Sequence, residues 1–299
     1  MKIQTFSIVV GGKKCNASCP YCVSKMTGDK GLCKDINYRN FRKACLFAKQ
    51  SGVSTVLLTG KGEPLLYPDL ITDYLEALKE FDFPFIELQT NGIALSDMDS
   101  VGYKNSGNET YLEKWYELGL TTICLSTVHW SGGENRKIYG KKYTELHDYV
   151  DICHREGFSV RVSCVMYTGG VCSLIGVRFF SAKCKEWGVE QFTARGVSND
   201  IDFKETTDSK KKRIYNWVEK HRVSPIHIND IREFFDCKTN ATLLLELAHG
   251  AKVYDYEGQN ISINSCLTHS PNPDDIRQLI FFPDGHLRYS WQYRGAIII

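Results

Sequence analysis

The chain carries the run Cys15-Asn16-Ala17-Ser18-Cys19-Pro20-Tyr21-Cys22, three thiols at C-x₃-C-x₂-C spacing, with Lys13 and Lys14 just before them. Thiolates this close can converge on one metal centre, and neighbouring cations favour the deprotonated sulfur that ligates. Three readings compete. A structural zinc ion wants four closed ligands, usually as two separated pairs, and Cys33 is available as a fourth. A 4Fe–4S cluster is also held by cysteines, and three of them leave one iron open for something else. Chance proximity is the third reading. The chain has 12 cysteines. In a cytosolic protein thiols stay reduced, so a cluster of them points to metal binding or chemistry rather than to disulfides. Cys45, Cys124, Cys153, Cys164 and Cys184 fall inside periodic segments and read as small buried hydrophobes.

Further polar residues recur at the ends of short apolar runs. Thr59-Gly60-Lys61-Gly62-Glu63-Pro64 closes one run. Its glycines let backbone approach closely and its carboxylate suits an ammonium group; equally, Gly and Pro punctuate ordinary loops. Gln89-Thr90-Asn91-Gly92 and Leu125-Ser126-Thr127 close the next two, Ser163 lies in a fifth run, and Thr193 to Arg195 lie in a sixth. Each has a plain alternative: a turn, a satisfied strand hydroxyl, or a surface charge.

The elements that must position these residues follow from periodicity. Residues 2–10, 53–59, 85–90, 121–127, 159–167 and 191–195 read as strands. Between them, residues 38–51, 68–80, 110–117, 143–156 and 176–187 read as helices, three of them stopped by Gly52, Gly157 and Gly188. Six strands alternating with helices imply a parallel sheet, either open or curled into a barrel. After Val197 the rhythm breaks. Residues 210–222 and 229–237 look helical, 251–263 resemble strand material around a Glu257-Gly258 turn, and 278–291 read as a hairpin around Asp284-Gly285. We expect residues 1–197 to form one domain and 198–299 a C-terminal extension packed on it. The apolar tail, residues 295–299, is expected to tuck against the core or a second copy.

Taken together, the cysteine run resembles the signature of the radical S-adenosylmethionine (SAM) superfamily, C-x₃-C-x-aromatic-C after the first strand, with Tyr21 as the aromatic. Thr59 to Pro64 resembles that family's Gly-Gly-Glu-Pro segment, and Thr90-Asn91-Gly92 a tripeptide common at the third strand's end. The resemblance covers residues 1–197. It implies an α/β fold, a partial (βα)₆ TIM-like barrel with its chemistry at the C-terminal ends of the strands. It also implies that Cys15, Cys19 and Cys22 hold a 4Fe–4S cluster whose open iron is chelated by SAM, and that SAM lies against Tyr21, Gly60, Gly62, Glu63, Asn91, Ser126, Ser163 and Arg195. A flavodoxin or ferredoxin would supply the electron.

Candidates to line the substrate space sit just past strand ends: Lys61, Asn91, His129, Trp130, Tyr167 and Arg195. Of these, His129 can donate to a polar group and Trp130 can stack on a flat ring; both also read as a half-buried loop pair. The segment Phe281 to Trp291 resembles the C-terminal hairpin of family members with extra clusters, but Ser290 and Trp291 stand where a cysteine usually follows. A second cluster is not expected. Lys and Arg total 37 against 35 Asp and Glu, which gives no footprint for long nucleic acid. No apolar run is long enough to span a membrane, and no secretory signal opens the sequence. We therefore expect a cytoplasmic enzyme acting on a small polar, nucleoside-type substrate, for example a queuosine lyase. Alternatives are a peptide- or protein-modifying enzyme or glycyl-radical activase, and a zinc-binding interaction module.

Overall fold

The computed structural model describes residues 3–25, 35–103, 109–140, 142–199, 204–247, 250–265 and 276–299. From the amino terminus, β1 (Thr5–Val9) leads through the cysteine loop to α1 (Tyr38–Gln50), then β2 (Thr55–Thr59), α2 (Pro68–Leu78) and β3 (Phe85–Thr90). Two short helices, α3 (Leu95–Ser100) and α4 (Tyr111–Glu117), precede β4 (Thr122–Thr127). Next come α5 (Gly132–Tyr139), α6 (Leu146–Arg155), β5 (Ser159–Met166), α7 (Leu174–Glu186) and β6 (Gln191–Gly196). Beyond it lie α8 (Ser209–His221), α9 (Pro225–Asp236), β7 (Thr242–Glu246), β8 (Lys252–Tyr256), β9 (Gln259–Ser265), β10 (Gln278–Phe281) and β11 (Leu287–Arg288).

The helices start where the sequence supplies caps. Asn37 accepts from the Asn40 N–H ahead of α1, and Thr110 and Glu113 form a capping box on α4. At the far end of α1, Gly52 takes a φ of +80°, open to glycine at no steric cost.

The strands of the described residues join one 11-stranded sheet, in the order β11-β10-β1-β2-β3-β4-β5-β6-β9-β8-β7. The six βα strands lie in sequential order and pair parallel, the arrangement of a partial TIM-like barrel. Residues 198–299 supply strands at both edges: β10 runs parallel beside β1, and β9 parallel beside β6. The tail pairs back on β11, where the Ile298 N–H donates to the Leu287 carbonyl at 2.7 Å.

The two faces of this sheet differ in chemistry. On one, Phe6, Ile8, Val56, Leu58, Val162 and Phe192 are fully buried, and the helices cover them. Phe41 of α1 sits 6.3 Å from Phe6 and 5.1 Å from Tyr74 of α2, and Phe180 of α7 lies 4.8 Å from Phe192. With helices ringing that face, the other turns inward. From β3 to β9 the inward positions are mostly polar: Glu87 and Gln89, Ser126, Arg161 and Ser163, Thr193 and Arg195, Ser262 and Asn264. Barrel interiors are normally packed with branched aliphatics; this one is hydrophilic.

Sequence periodicity missed α3, α5 and β7. α5 opens on two glycines and lacks an apolar stripe, and it forms because Ser131 caps the Gly133 N–H. β7 is an unbroken leucine run without alternation, every residue of it exposed. The C-terminal hairpin forms, but its second strand is only two residues long. The five cysteines expected in the core are all buried. Among the described residues, no helix is long and apolar enough to cross a membrane.

Candidate active site

Three loops at the C-terminal ends of β1, β2 and β3 are tied together. After β2, the Glu63 N–H donates to the Lys14 carbonyl at 3.0 Å, fastening that loop to the cysteine run. Gly62 makes this approach possible, since a Cβ there would overlap the Lys14 oxygen outright and stand 2.7 Å from that of Gly12. The Glu63 carboxylate is buried and accepts from the Leu65 N–H, the Thr90 hydroxyl and the Asn91 N–H. Burial pushes its pKa up, while these three donors pull it back toward the ionised form. The Asn91 amide then donates to Asn16 Oδ1 at 2.8 Å and approaches Cys15 Sγ at 3.8 Å.

Of the three clustered thiols, Cys15 is exposed while Cys19 and Cys22 are half-buried. Burial pushes Cys19 up to about 12, with the neighbouring Cys22 and Cys15 adding to it. Burial likewise raises Cys15. A metal bound here must displace protons, as thiol ligands require. Among the described residues, no group of three His, Cys, Asp or Glu side chains is gathered around a point suited to one metal ion. Cys33, the fourth ligand of the zinc reading, lies outside the described residues. The donor set fits an iron–sulfur cluster: soft thiols only, three on one loop, held against a glycine-lined neighbouring loop.

A profile of the radical SAM superfamily matches residues 9–171, more than half of the chain. The chain belongs to the radical SAM superfamily. It is therefore an enzyme of that type, whose cofactors are a 4Fe–4S cluster and SAM. No curated protein matches the sequence. Among solved structures, Streptococcus suis SuiB bound to S-adenosylmethionine is similar at 14% identity and a TM-score of 0.57, over 96% of this chain and 60% of that one. SuiB bound to its precursor peptide SuiA gives 14% identity and a TM-score of 0.56, over 97% and 60%. A third, histidine-tagged anSMEcpe with bound AdoMet, gives 12% and 0.51, over 79% and 61%. The chain spans about three fifths of the length of these proteins, and at such identities they speak to the fold alone.

Within this radical SAM fold, the other sequence candidates scatter. Tyr21 is buried; its hydroxyl bonds that of Tyr139 at 3.0 Å, and its ring lies 5.7 Å from Trp217 on α8. Tyr167 is also buried, 5.5 Å from the same Trp217, so α8 roofs both. Ser126 is half-buried and in register with the buried Ser163. Arg195 faces inward, close enough to Glu87 to lower its pKa. Lys61 turns aside: its ammonium stands 5.6 Å from the Phe282 ring and 5.5 Å from that of Trp291, over the C-terminal hairpin. Trp130 stacks 3.8 Å from His129 and packs 4.7 Å from Phe179 and 5.9 Å from Phe180 of α7. Its ring is thus engaged by the helix layer. His129 Nδ1 accepts the Ser131 N–H at 3.0 Å, leaving Nε2 as the donor of the neutral ring. Burial lowers its pKa and keeps it neutral near pH 7.

Two arrangements escaped the sequence. Glu87 and Arg161 form a two-bond ion pair inside the barrel, one bond 2.7 Å long. Burial alone would raise the Glu87 pKa, but the Arg161 guanidinium outweighs it and the net shift is downward; Arg161 moves upward. The alternation of residues 159–166 placed Arg161 on the polar face, but nothing local named its partner 74 positions away. Asn135 is the second. Fully buried, its Oδ1 accepts the Thr127 hydroxyl and the N–H groups of Val128 and His129, and its Nδ2 donates to the His129 carbonyl at 2.7 Å.

Proposed function

We propose that this radical SAM enzyme acts on a small polar, nucleoside-type substrate, and that a queuosine lyase, releasing a 7-deazaguanine base for salvage, is the leading candidate. The observation that carries this is the hydrophilic inner face from β3 to β9, suited to a polar molecule held deep in the barrel. Cys15, Cys19 and Cys22 would hold the cluster. Tyr21, Gly60, Gly62, Glu63, Asn91, Ser126, Ser163 and Arg195 would border SAM. When bound, cluster and SAM supply a 5′-deoxyadenosyl radical that takes a hydrogen atom from the substrate.

This chain's own residues position and shield. Glu63, Thr90 and Asn91 fix the loops against the cysteine run. Trp217 of α8 covers Tyr21 and Tyr167, which limits water at that mouth. Asn135 fixes the backbone that presents His129, whose Nε2–H is available to a substrate acceptor. A flavodoxin or ferredoxin type donor supplies the electron, and residues 198–299 form an extension that completes the substrate side.

A peptide or protein substrate is the second reading. It draws on β7, an edge strand whose Leu243, Leu244 and Leu245 are about half exposed and offer a surface for strand addition. Anaerobic turnover with candidate nucleosides and peptides separates the two. Stimulation of 5′-deoxyadenosine release by a nucleoside supports the first; stimulation only by peptides removes it. Colourless protein with about one zinc and no SAM cleavage would remove both and leave the interaction module.

A further inference from the structure

We propose that the inner wall formed by β6 and β9 is a sugar subsite, with Asn264, Ser262 and Thr193 binding the hydroxyls of a ribosyl or similar polyhydroxylated ring. This rests on the nucleoside-type reading above. It places substrate recognition on a strand outside the six βα units.

The sheet register sets the wall. Ser126, Ser163, Thr193 and Ser262 form one continuous row of hydroxyl residues across β4, β5, β6 and β9. Two positions on, Val165, Arg195 and Asn264 form the next inward row. Because β9 runs parallel to β6, its C-terminal end points toward the same rim as the cysteine loop, Glu63 and Asn91. Parallel barrels gather their chemistry at that rim.

One layer below, the polar groups answer each other. Glu87 pairs with Arg161, and the Gln191 amide donates to Asn260 Oδ1 at 3.3 Å. The upper layer is different. Among the described residues, Asn264 Oδ1 is a buried oxygen with no hydrogen-bond partner, and buried acceptors are seldom left so. An apolar group cannot answer this atom. A hydroxyl can: it donates to Asn264 and, like the serine and threonine hydroxyls below, also accepts.

The test is calorimetric titration of anaerobically reconstituted, SAM-loaded enzyme with adenosine, guanosine and 7-deazaguanosine, each against its free base. At least one nucleoside should bind about tenfold or more tightly than its base. Asn264→Ala and Ser262→Ala should each shrink that advantage roughly 3–10-fold, the worth of one hydrogen bond, with base and SAM affinities unchanged. Asn264→Asp, which keeps an acceptor, should retain it. Equal binding of nucleoside and base, binding of neither, or equal losses in both Asn264 variants overturns the subsite. So does a matching loss of SAM affinity in Asn264→Ala, which would assign the wall to SAM's own ribose. The enzymatic reading is scored separately, by 5′-deoxyadenosine release on reduction, and survives any of these results.

Discussion

Glu63 and Asn91, 28 positions apart, are joined by a hydrogen bond of 3.0 Å from the Asn91 N–H to Glu63 Oε2. The same carboxylate takes the Thr90 hydroxyl at 2.5 Å and the Leu65 N–H at 3.1 Å. An ionised carboxylate offers about four acceptor sites, so one is left for an ammonium group. Glu63 is thus first a clamp between loops, and in the proposed site a contact for SAM only second.

Glu63→Gln should weaken SAM binding roughly tenfold while leaving the fold intact. The amide replaces one acceptor with a donor that faces a protein N–H or hydroxyl, leaving a buried group unsatisfied at about 1–3 kcal/mol. Equilibrium dialysis with SAM reads this directly. Unchanged affinity would show that the clamp does not position the site.

Cys19→Ala should abolish both the brown colour and SAM cleavage. Iron analysis should fall from about four per chain to below about one, while circular dichroism stays that of the parent. Retained iron and 5′-deoxyadenosine release would defeat the cluster assignment.

Gly62→Ala should disrupt cluster retention, because the new methyl group overlaps the Lys14 carbonyl and must push the cysteine loop away. Gly133→Ala, whose nearest neighbour would be 3.5 Å off, is the control. It should shift stability by no more than about 0.5 kcal/mol. Equal iron loading in the two variants would remove the close-approach argument.

Glu87→Gln should destabilise the protein by about 3–5 kcal/mol at pH 7, since it strands the buried Arg161 guanidinium. The native Glu87 pKa lies below the ordinary 4.5. Its stabilisation is therefore complete above that value and is lost as pH falls through the lower native one. Melting curves of parent and variant should differ at pH 7 and converge in acid. A gap that persists undiminished there would mean the carboxylate's charge is not what stabilises.

Asn135→Ala should cost about 3 kcal/mol, the result of leaving the buried Val128 and His129 N–H groups without their acceptor. It also frees the segment carrying His129, so substrate KM should rise more than kcat falls. A variant with unchanged KM would place His129 outside the substrate site.

The sequence by itself determined the alternation of strands and helices, the thiol run, and the loops that end β1, β2 and β3. These are local properties: side-chain period, glycine and proline stops, and ligand spacing within eight residues. The five core cysteines were legible for the same reason, each sitting at an apolar position of a periodic segment.

Only the tertiary structure decided that β10 and β9 flank the barrel strands on either side, because parallel pairing joins segments with no sequence proximity. It alone set Arg161 against Glu87, turned Lys61 toward Phe282, and engaged Trp130 with α7. Each outcome depends on which groups the packed chain leaves in need of partners. That demand is met across the fold, where a linear pattern carries no distance.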